Sequence, residues 1–239
     1  TAMTGPLVTI TGASSGIGLA IAHAFAAEGN ALLLIARHMK QIDGLPTERT
    51  IYAEADVADY AAVERAIRGA EARFGKTACL VNNAGMADAR GFHDVDPASY
   101  AHEIDVNLKG VFNGTKIVIG DMSAAKSGTI INVSSVSDRK VSPVALGYTA
   151  SKYGVRAFSE SLREAEGMNG VRVVNIAPAY VRTNIHAGMG ITFDEYRKAL
   201  GDPDFLTAEE LADIVLYCWK LPARICVRDI VVTPTRTTF

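Results

Sequence analysis

Short runs that are apolar at nearly every position alternate along the chain with longer stretches in which apolar residues recur every three or four positions. The short runs are Leu7 to Ile10, Ala31 to Ala36, Ile51 to Ala55, Ala78 to Val81, Thr129 to Ser134, Val171 to Ile176 and Ile230 to Thr233, and they have the length and residue types of strands. Strands apolar on both faces belong in a parallel sheet covered above and below. The longer stretches, Gly16 to Glu28, Tyr60 to Phe74, Ser99 to Ala125, Tyr148 to Glu166 and Ala208 to Leu221, carry helical spacing. This alternation predicts an α/β fold, a doubly wound parallel sheet of about seven strands with helices on both faces. No Gly/Ser tract, charge block or internal repeat divides the chain, so residues 1–239 read as a single domain. The interval 184–205 fits no strand; it gathers His186, Phe193 and Tyr196 among Gly190, Gly201 and Pro203, and reads as a lid within that domain.

Composition removes several classes of function. Hydrophobic residues are 49% of the chain and charged residues 21%, a balance that supports a buried core and excludes disorder as the main state. Lys and Arg total 24 against 26 Asp and Glu, so no basic surplus exists to neutralise a phosphate backbone, and nucleic acid is not expected as a partner. No apolar run approaches the ~18 residues of a membrane-spanning helix, and the first residues lack a basic segment leading into an apolar core. The expectation is a soluble, cytoplasmic protein with no membrane partner. Cys79, Cys218 and Cys226 form no CxxC pair, so neither a disulfide nor a metal site is expected.

The chemistry begins at Thr11-Gly12-Ala13-Ser14-Ser15-Gly16-Ile17-Gly18, which leaves the first strand and opens the first helix. Gly12 allows a tight exit, Gly16 lets the backbone approach a pyrophosphate, and Gly18 permits close contact between helix and strand. Free N–H groups and the positive end of the helix dipole then face the phosphates. A tight turn with no ligand would use the same glycines.

Tyr148 and Lys152, four residues apart, project from one face of a predicted helix, where the ammonium is expected to lower the phenol pKa from its usual ~10. A phenol so tuned exchanges protons near neutral pH. An exposed helix face carries such pairs as well. Here Ser135 lies at the end of a predicted strand, where an open parallel sheet presents ligands, and its hydroxyl can hold a carbonyl oxygen beside the phenol. Ser134 is the neighbouring rival, with its side chain expected on the opposite face. The second strand ends Ile35-Ala36-Arg37, without the carboxylate that NAD sites place there. A guanidinium pairs with a 2′-phosphate, which favours NADP(H) over NAD(H); the alternative is an exposed strand-end arginine.

The Gly-x-x-x-Gly-x-Gly spacing, followed in order by Asp56-Val57, Asn82-Asn83-Ala84-Gly85, Asn107, Ser135 and Tyr148-Thr149-Ala150-Ser151-Lys152, resembles the short-chain dehydrogenase/reductase family. The resemblance covers nearly the whole chain and implies a Rossmann-like fold and an oxidoreductase acting on an alcohol/carbonyl pair. It implies that Tyr148 is the general acid/base, Ser135 the positioner of the substrate oxygen, Lys152 both activator and ribose ligand, and Asn107 part of a proton path to solvent. For the cofactor it implies Gly12, Ser14, Ser15, Gly16, Ile17 and Gly18 at the phosphates. Asp56 and Val57 then lie toward the adenine, and Asn83, Ala84 and Gly85 beside the adenosine ribose. Pro178-Ala179-Tyr180-Val181-Arg182-Thr183 resembles the family's Pro-Gly-x-Val-x-Thr segment, so Pro178, Val181 and Thr183 are expected at the nicotinamide, with Ala179 departing from the glycine. Arg139, Lys140 and Arg182 are candidate anion contacts for a small-molecule substrate. Met86, Ser137, Tyr180, His186, Met189 and Phe193 are candidate pocket walls.

Two other readings share the fold: a non-catalytic NADP-sensing or regulatory protein, and a sugar-nucleotide epimerase or dehydratase. The helical stretches Ser99 to Ala125 and Tyr148 to Glu166 carry more apolar surface than one sheet-facing stripe needs, including Phe112 and Phe158. The resemblance implies that this pair meets its symmetry mate, giving a homodimer, or a homotetramer if Ile225 to Phe239 adds a second contact.

Overall fold

The apolar runs lie side by side in one sheet. A computed structural model describes residues 5–237, the side chains of 187 and 188 apart. Its strands are β1 (Gly5–Thr11), β2 (Asn30–Ala36), β3 (Thr50–Glu54), β4 (Thr77–Asn82), β5 (Gly128–Val133), β6 (Val171–Pro178) and β7 (Asp229–Val232). They stand in the order β3-β2-β1-β4-β5-β6-β7, and every neighbouring pair is parallel. The helices are α1 (Gly16–Ala27), α2 (Tyr60–Phe74), α3 (Pro97–Ile104), α4 (Gly110–Ala125), α5 (Leu146–Glu166), α6 (Phe193–Ala199) and α7 (Ala208–Lys220). Among the described residues no helix is long and apolar enough to cross a membrane. Of the expected C-terminal segment, residues 238 and 239 lie outside the described residues.

Strand alternation explains why the runs are apolar throughout. Val8 and Ile10 of β1 and Leu32 and Leu34 of β2 pack with Ile21 and Phe25 of α1 and Leu211 and Val215 of α7. Their neighbours Leu7, Leu33 and Ile35 pack on the other face with Val63 and Ile67 of α2 and Ile117 and Val118 of α4. Each fully buried side chain of this size contributes roughly 1.5–3 kcal/mol. Arg172 is buried too, donating to the carbonyls of Cys218, Trp219 and Leu221, so its guanidinium closes the C-terminal end of α7.

The topology fixes where a ligand goes. From β1 the chain winds through β2 to β3 on one side, then crosses to β4 on the other, leaving a crevice at the carboxyl ends of β1 and β4. The two strand ends are stitched together there. Thr11 Oγ1 accepts from the N–H groups of Asn83 (3.0 Å) and Ala84 (3.1 Å), while Asn83 Nδ2 donates to the carbonyls of Thr11 (3.0 Å) and Gly12 (3.2 Å).

One expectation changes. The stretch Ser99 to Ala125 is not one helix: α3 and α4 are joined by a wider turn of π type over Asp105–Lys109, which holds Asn107. The interval 184–205, expected to form a lid, contains a 3-10 turn over Ile185–Met189 followed by α6, whose start is fixed by a reciprocal capping box between Thr192 and Glu195.

Candidate active site

The crevice is a cleft of about 340 Å³. Gly12, Ser14, Ser15, Gly16 and Ile17 line its floor at the start of α1. Arg37, Asp56 and Val57 line one end, and Asn83, Ala84 and Gly85 the side formed by β4. Tyr148, Lys152 and Thr183 line the other end.

The glycine turn leaves this cleft open to an anion. Gly12 (φ +64°) and Gly16 (φ +53°) occupy the left-handed region. Gly18 serves packing instead: a Cβ there would collide with the Gly12 carbonyl oxygen. Ser15 at the N-cap of α1 makes no side-chain cap bond, and the first turn holds no acid. The starts of α2, α3, α6 and α7 are each closed by a side chain, from Asp59, Asp96, Thr192 and Thr207. The first-turn N–H groups of α1 thus fit the pyrophosphate of a dinucleotide. The end of β2 fits a 2′-phosphate: Arg37 and His38 are both exposed and line the cleft.

At the other end α5 delivers Tyr148 and Lys152. It is held against the sheet by a buried chain in which Asn82 Nδ2 donates to Asn132 Oδ1 (2.9 Å) and Asn132 Nδ2 to the Ser159 hydroxyl (2.8 Å). Lys152 Nζ donates to the Val133 carbonyl at 3.1 Å and stands 5.5 Å from the Tyr148 ring centroid. Ser135 caps a 3-10 turn, its Oγ accepting from Ser137 N–H at 3.1 Å, and its hydroxyl acts on the Tyr148 phenol. The Ser134 hydroxyl is buried, without a hydrogen-bond partner among the described residues. Asn107 Oδ1 accepts from Met86 N–H and Nδ2 donates to the Met86 carbonyl, each at 2.8 Å, so the π-type turn holds the wall that follows β4. A Cβ built on Gly85 would lie 3.4 Å from Asn107 Oδ1 and 3.7 Å from Lys152 Nζ, which brings these three residues together. Across the cleft, a Cβ on Gly16 would meet the Thr183 side chain at 3.4 Å.

The electrostatics differ from those expected of an exposed Tyr–Lys pair. Burial pushes the Tyr148 phenol up to about 12, with the Ser135 hydroxyl opposing, and pushes Lys152 down to about 8. Desolvation outweighs the attraction expected between the two residues, because both are enclosed and the ammonium is bonded to a backbone carbonyl.

Other expected residues fall elsewhere. Pro178 is buried at the end of β6, and Val181 bridges to Leu206. Ala179 is buried, its N–H on the Val232 carbonyl, and the left-handed residue of this segment is Tyr180 (φ +41°), so the departure from glycine falls beside the strained position. Arg139 is taken by Asp138 and Asp229, and Arg182 lies over the Phe193 ring. His38 lines the cleft without having been expected there, Ser134 lines it although its side chain was expected on the opposite face, and Asn184 and Ile185 line it from the start of the interval expected as a lid. Only His38 carried a readable signal, as a second basic side chain directly after Arg37.

A family model described as short chain dehydrogenase matches residues 6–191. The chain is 38% identical over 188 residues to the oxidoreductase UcpA of Salmonella typhimurium, a match covering 76% of this chain and 71% of that one. It is 35% identical over 242 residues to sulfoacetaldehyde reductase 2 of Chromohalobacter salexigens, covering 96% and 94%. The closed form of serine dehydrogenase, solved in complex with NADP+, has the same fold with a TM-score of 0.90 at 27% identity, covering 98% of this chain and 96% of that one. With this sheet, this glycine turn and these relatives, the chain belongs to the short-chain dehydrogenase family and is an oxidoreductase acting on CH–OH/C=O groups.

Proposed function

We propose that the protein is an NADP(H)-dependent oxidoreductase that interconverts a small alcohol and its carbonyl compound, with Tyr148 giving and taking the proton. The observation that carries this reading is that Tyr148 and Lys152 line a cleft whose other end presents Arg37 and His38, with the Ser135 hydroxyl acting on the phenol. The serine dehydrogenase complexed with NADP+ supports the choice of cofactor, and the name of sulfoacetaldehyde reductase 2 supports a small carbonyl compound.

The nicotinamide cofactor supplies or takes up the hydride. The start of α1 with Ser14, Ser15 and Ile17 binds the pyrophosphate, and Arg37 with His38 binds the 2′-phosphate. Asp56 and Val57 face the adenine, Asn83 to Gly85 the adenosine ribose, and the segment from Pro178 through Val181 to Thr183 the nicotinamide. The Tyr148 phenol, raised further by burial, is neutral at pH 7 and ready to donate its proton to a carbonyl oxygen that the Ser135 hydroxyl also holds. The Lys152 ammonium then stabilises the phenolate left behind and binds the ribose, while Asn107 keeps the route to solvent in place. Residues 184–205 act as the lid of this single domain. The protein works as a homodimer through α4 and α5, where Phe112 is exposed and packs edge-on against Phe158 at 4.4 Å.

The test is a screen of small aldehydes and ketones with NADPH and NADH, read at the nicotinamide absorbance. Turnover with NADPH is expected; tight NADPH binding without turnover of any carbonyl compound would favour the sensing reading instead.

A further inference from the structure

Glu103 on α3 is fully buried, and among the described residues its Oε2 has no hydrogen-bond partner. Burial pushes its pKa up, against the Asp88 N–H and with the Asp88 charge. Enclosing an acid in this way costs stability, and an unbranched apolar side chain such as methionine would fill the same length without that cost. A carboxyl in this place needs a reason, and its two oxygens supply one.

Each oxygen meets a different wall of the site. Oε1 accepts from Asp88 N–H at 3.0 Å. Asn107, four residues further on in the adjoining π-type turn, bonds both backbone groups of Met86. Glu103 and Asn107 thus hold the segment after β4 at two points, and Met86 within it lines the cleft. On its other side the acid takes the space where a side chain at residue 147 would begin. A Cβ on Gly147 would collide with Glu103 Oε2, and would stand 3.0 Å from the ring of Tyr100, one turn earlier on α3. Glycine at this position lets the acid rest on the backbone of the first turn of α5. The next residue is Tyr148.

We propose that Glu103 is a positioning residue for the reaction: by holding Asp88 with one oxygen and resting the other on Gly147, it sets the cleft wall after β4 against the Tyr148 phenol and so aligns the proton with the oxygen that receives it. It acts through these two neighbours and not on the substrate itself. This rests on the reading of Tyr148 as the proton donor. A small misplacement of reacting groups lowers the rate far more than it weakens binding.

The test compares Glu103→Met and Glu103→Gln with wild type, using NADPH and the carbonyl compound turned over fastest in the screen above. In Glu103→Met kcat is expected to fall about tenfold or more, while the KM of the carbonyl compound and the NADPH dissociation constant stay within about threefold. Its melting temperature is expected at or above that of wild type, because the buried acid is gone. Glu103→Gln keeps an oxygen for Asp88 N–H and is expected to recover kcat to within about threefold of wild type. In a Tyr148→Phe background Glu103→Met is expected to lower the residual turnover by less than about twofold, since the residue acts through the phenol. The proposal is overturned by a kcat for Glu103→Met within about threefold of wild type, by a loss that comes with a lower melting temperature or that Glu103→Gln does not recover, or by an equal loss in the Tyr148→Phe background. Wild-type protein that turns over no carbonyl compound, or Tyr148→Phe as active as wild type, would overturn the reading of Tyr148 itself and this inference with it.

Discussion

Lys152 Nζ donates to the carbonyl of Val133, the last residue of β5, at 3.1 Å. Ser135 follows two residues later, so one hydrogen bond locks the helix that carries the phenol to the strand that carries the hydroxyl. The same bond sits in an enclosed site, which pushes the lysine pKa down from an ordinary 10.5 to about 8.

That depression gives a stability effect with a definite sign. Between about pH 8 and 10.5 the unfolded chain holds a proton on Lys152 that the folded chain has released, so this residue's contribution to stability rises with pH across that window. Below pH 8 the cost of burying the charge is present in full, on the order of 3 kcal/mol. Tyr148 acts oppositely: its pKa is raised from 10.0 to about 12, so its contribution is complete below pH 10 and lost as pH climbs toward 12. Lys152→Met is expected to be more stable than wild type at pH 7, with the difference shrinking by pH 10 while turnover and cofactor affinity both fall. Urea melts of both proteins at pH 7 and 9.5 check this; a difference that grows with pH would contradict it.

Arg37 decides the cofactor. Arg37→Asp replaces the cation at the end of β2 with a carboxylate that repels a 2′-phosphate and accepts from a free 2′-hydroxyl. The ratio of kcat/KM for NADPH over NADH is expected to fall by about a hundredfold or more. Titration of the wild type by both cofactors is the control, and tighter binding of NADH there would remove Arg37 from this role.

The strands were readable because seven apolar runs of strand length are bounded by turn residues, and each appears in the sheet within a few positions. The glycine turn was equally plain, because Gly12 and Gly16 are needed for backbone shape and Gly18 for contact. Three features were not local in sequence. The π-type turn at Asp105–Lys109 interrupts residues of good helical spacing, with the Asn107 side chain clamped on the Met86 backbone. The α6 helix is only seven residues long, too short to show an apolar stripe, although Thr192 and Glu195 at cap spacing marked its start. The raised phenol came from burial, and a pair of residues four apart on a helix carries no information about how deeply the rest of the fold encloses them.

Assembly turns on Phe158. Its ring packs on Phe112 at the outer face of α4 and α5, and Phe112 remains 42% exposed. Phe158→Asp places a charge on this apolar face, and sedimentation at micromolar concentration is expected to show a dimer for wild type and a monomer for the variant. A wild-type monomer would remove the dimer and leave the site untouched.

The most direct test of the central claim is Tyr148→Phe, which keeps the ring and deletes the hydroxyl. Steady-state turnover with NADPH and the best carbonyl substrate is expected to fall by about a thousandfold or more, while the NADPH dissociation constant changes by less than about threefold. Turnover within tenfold of wild type, with cofactor binding intact, would show that the proton comes from another group and would contradict the account.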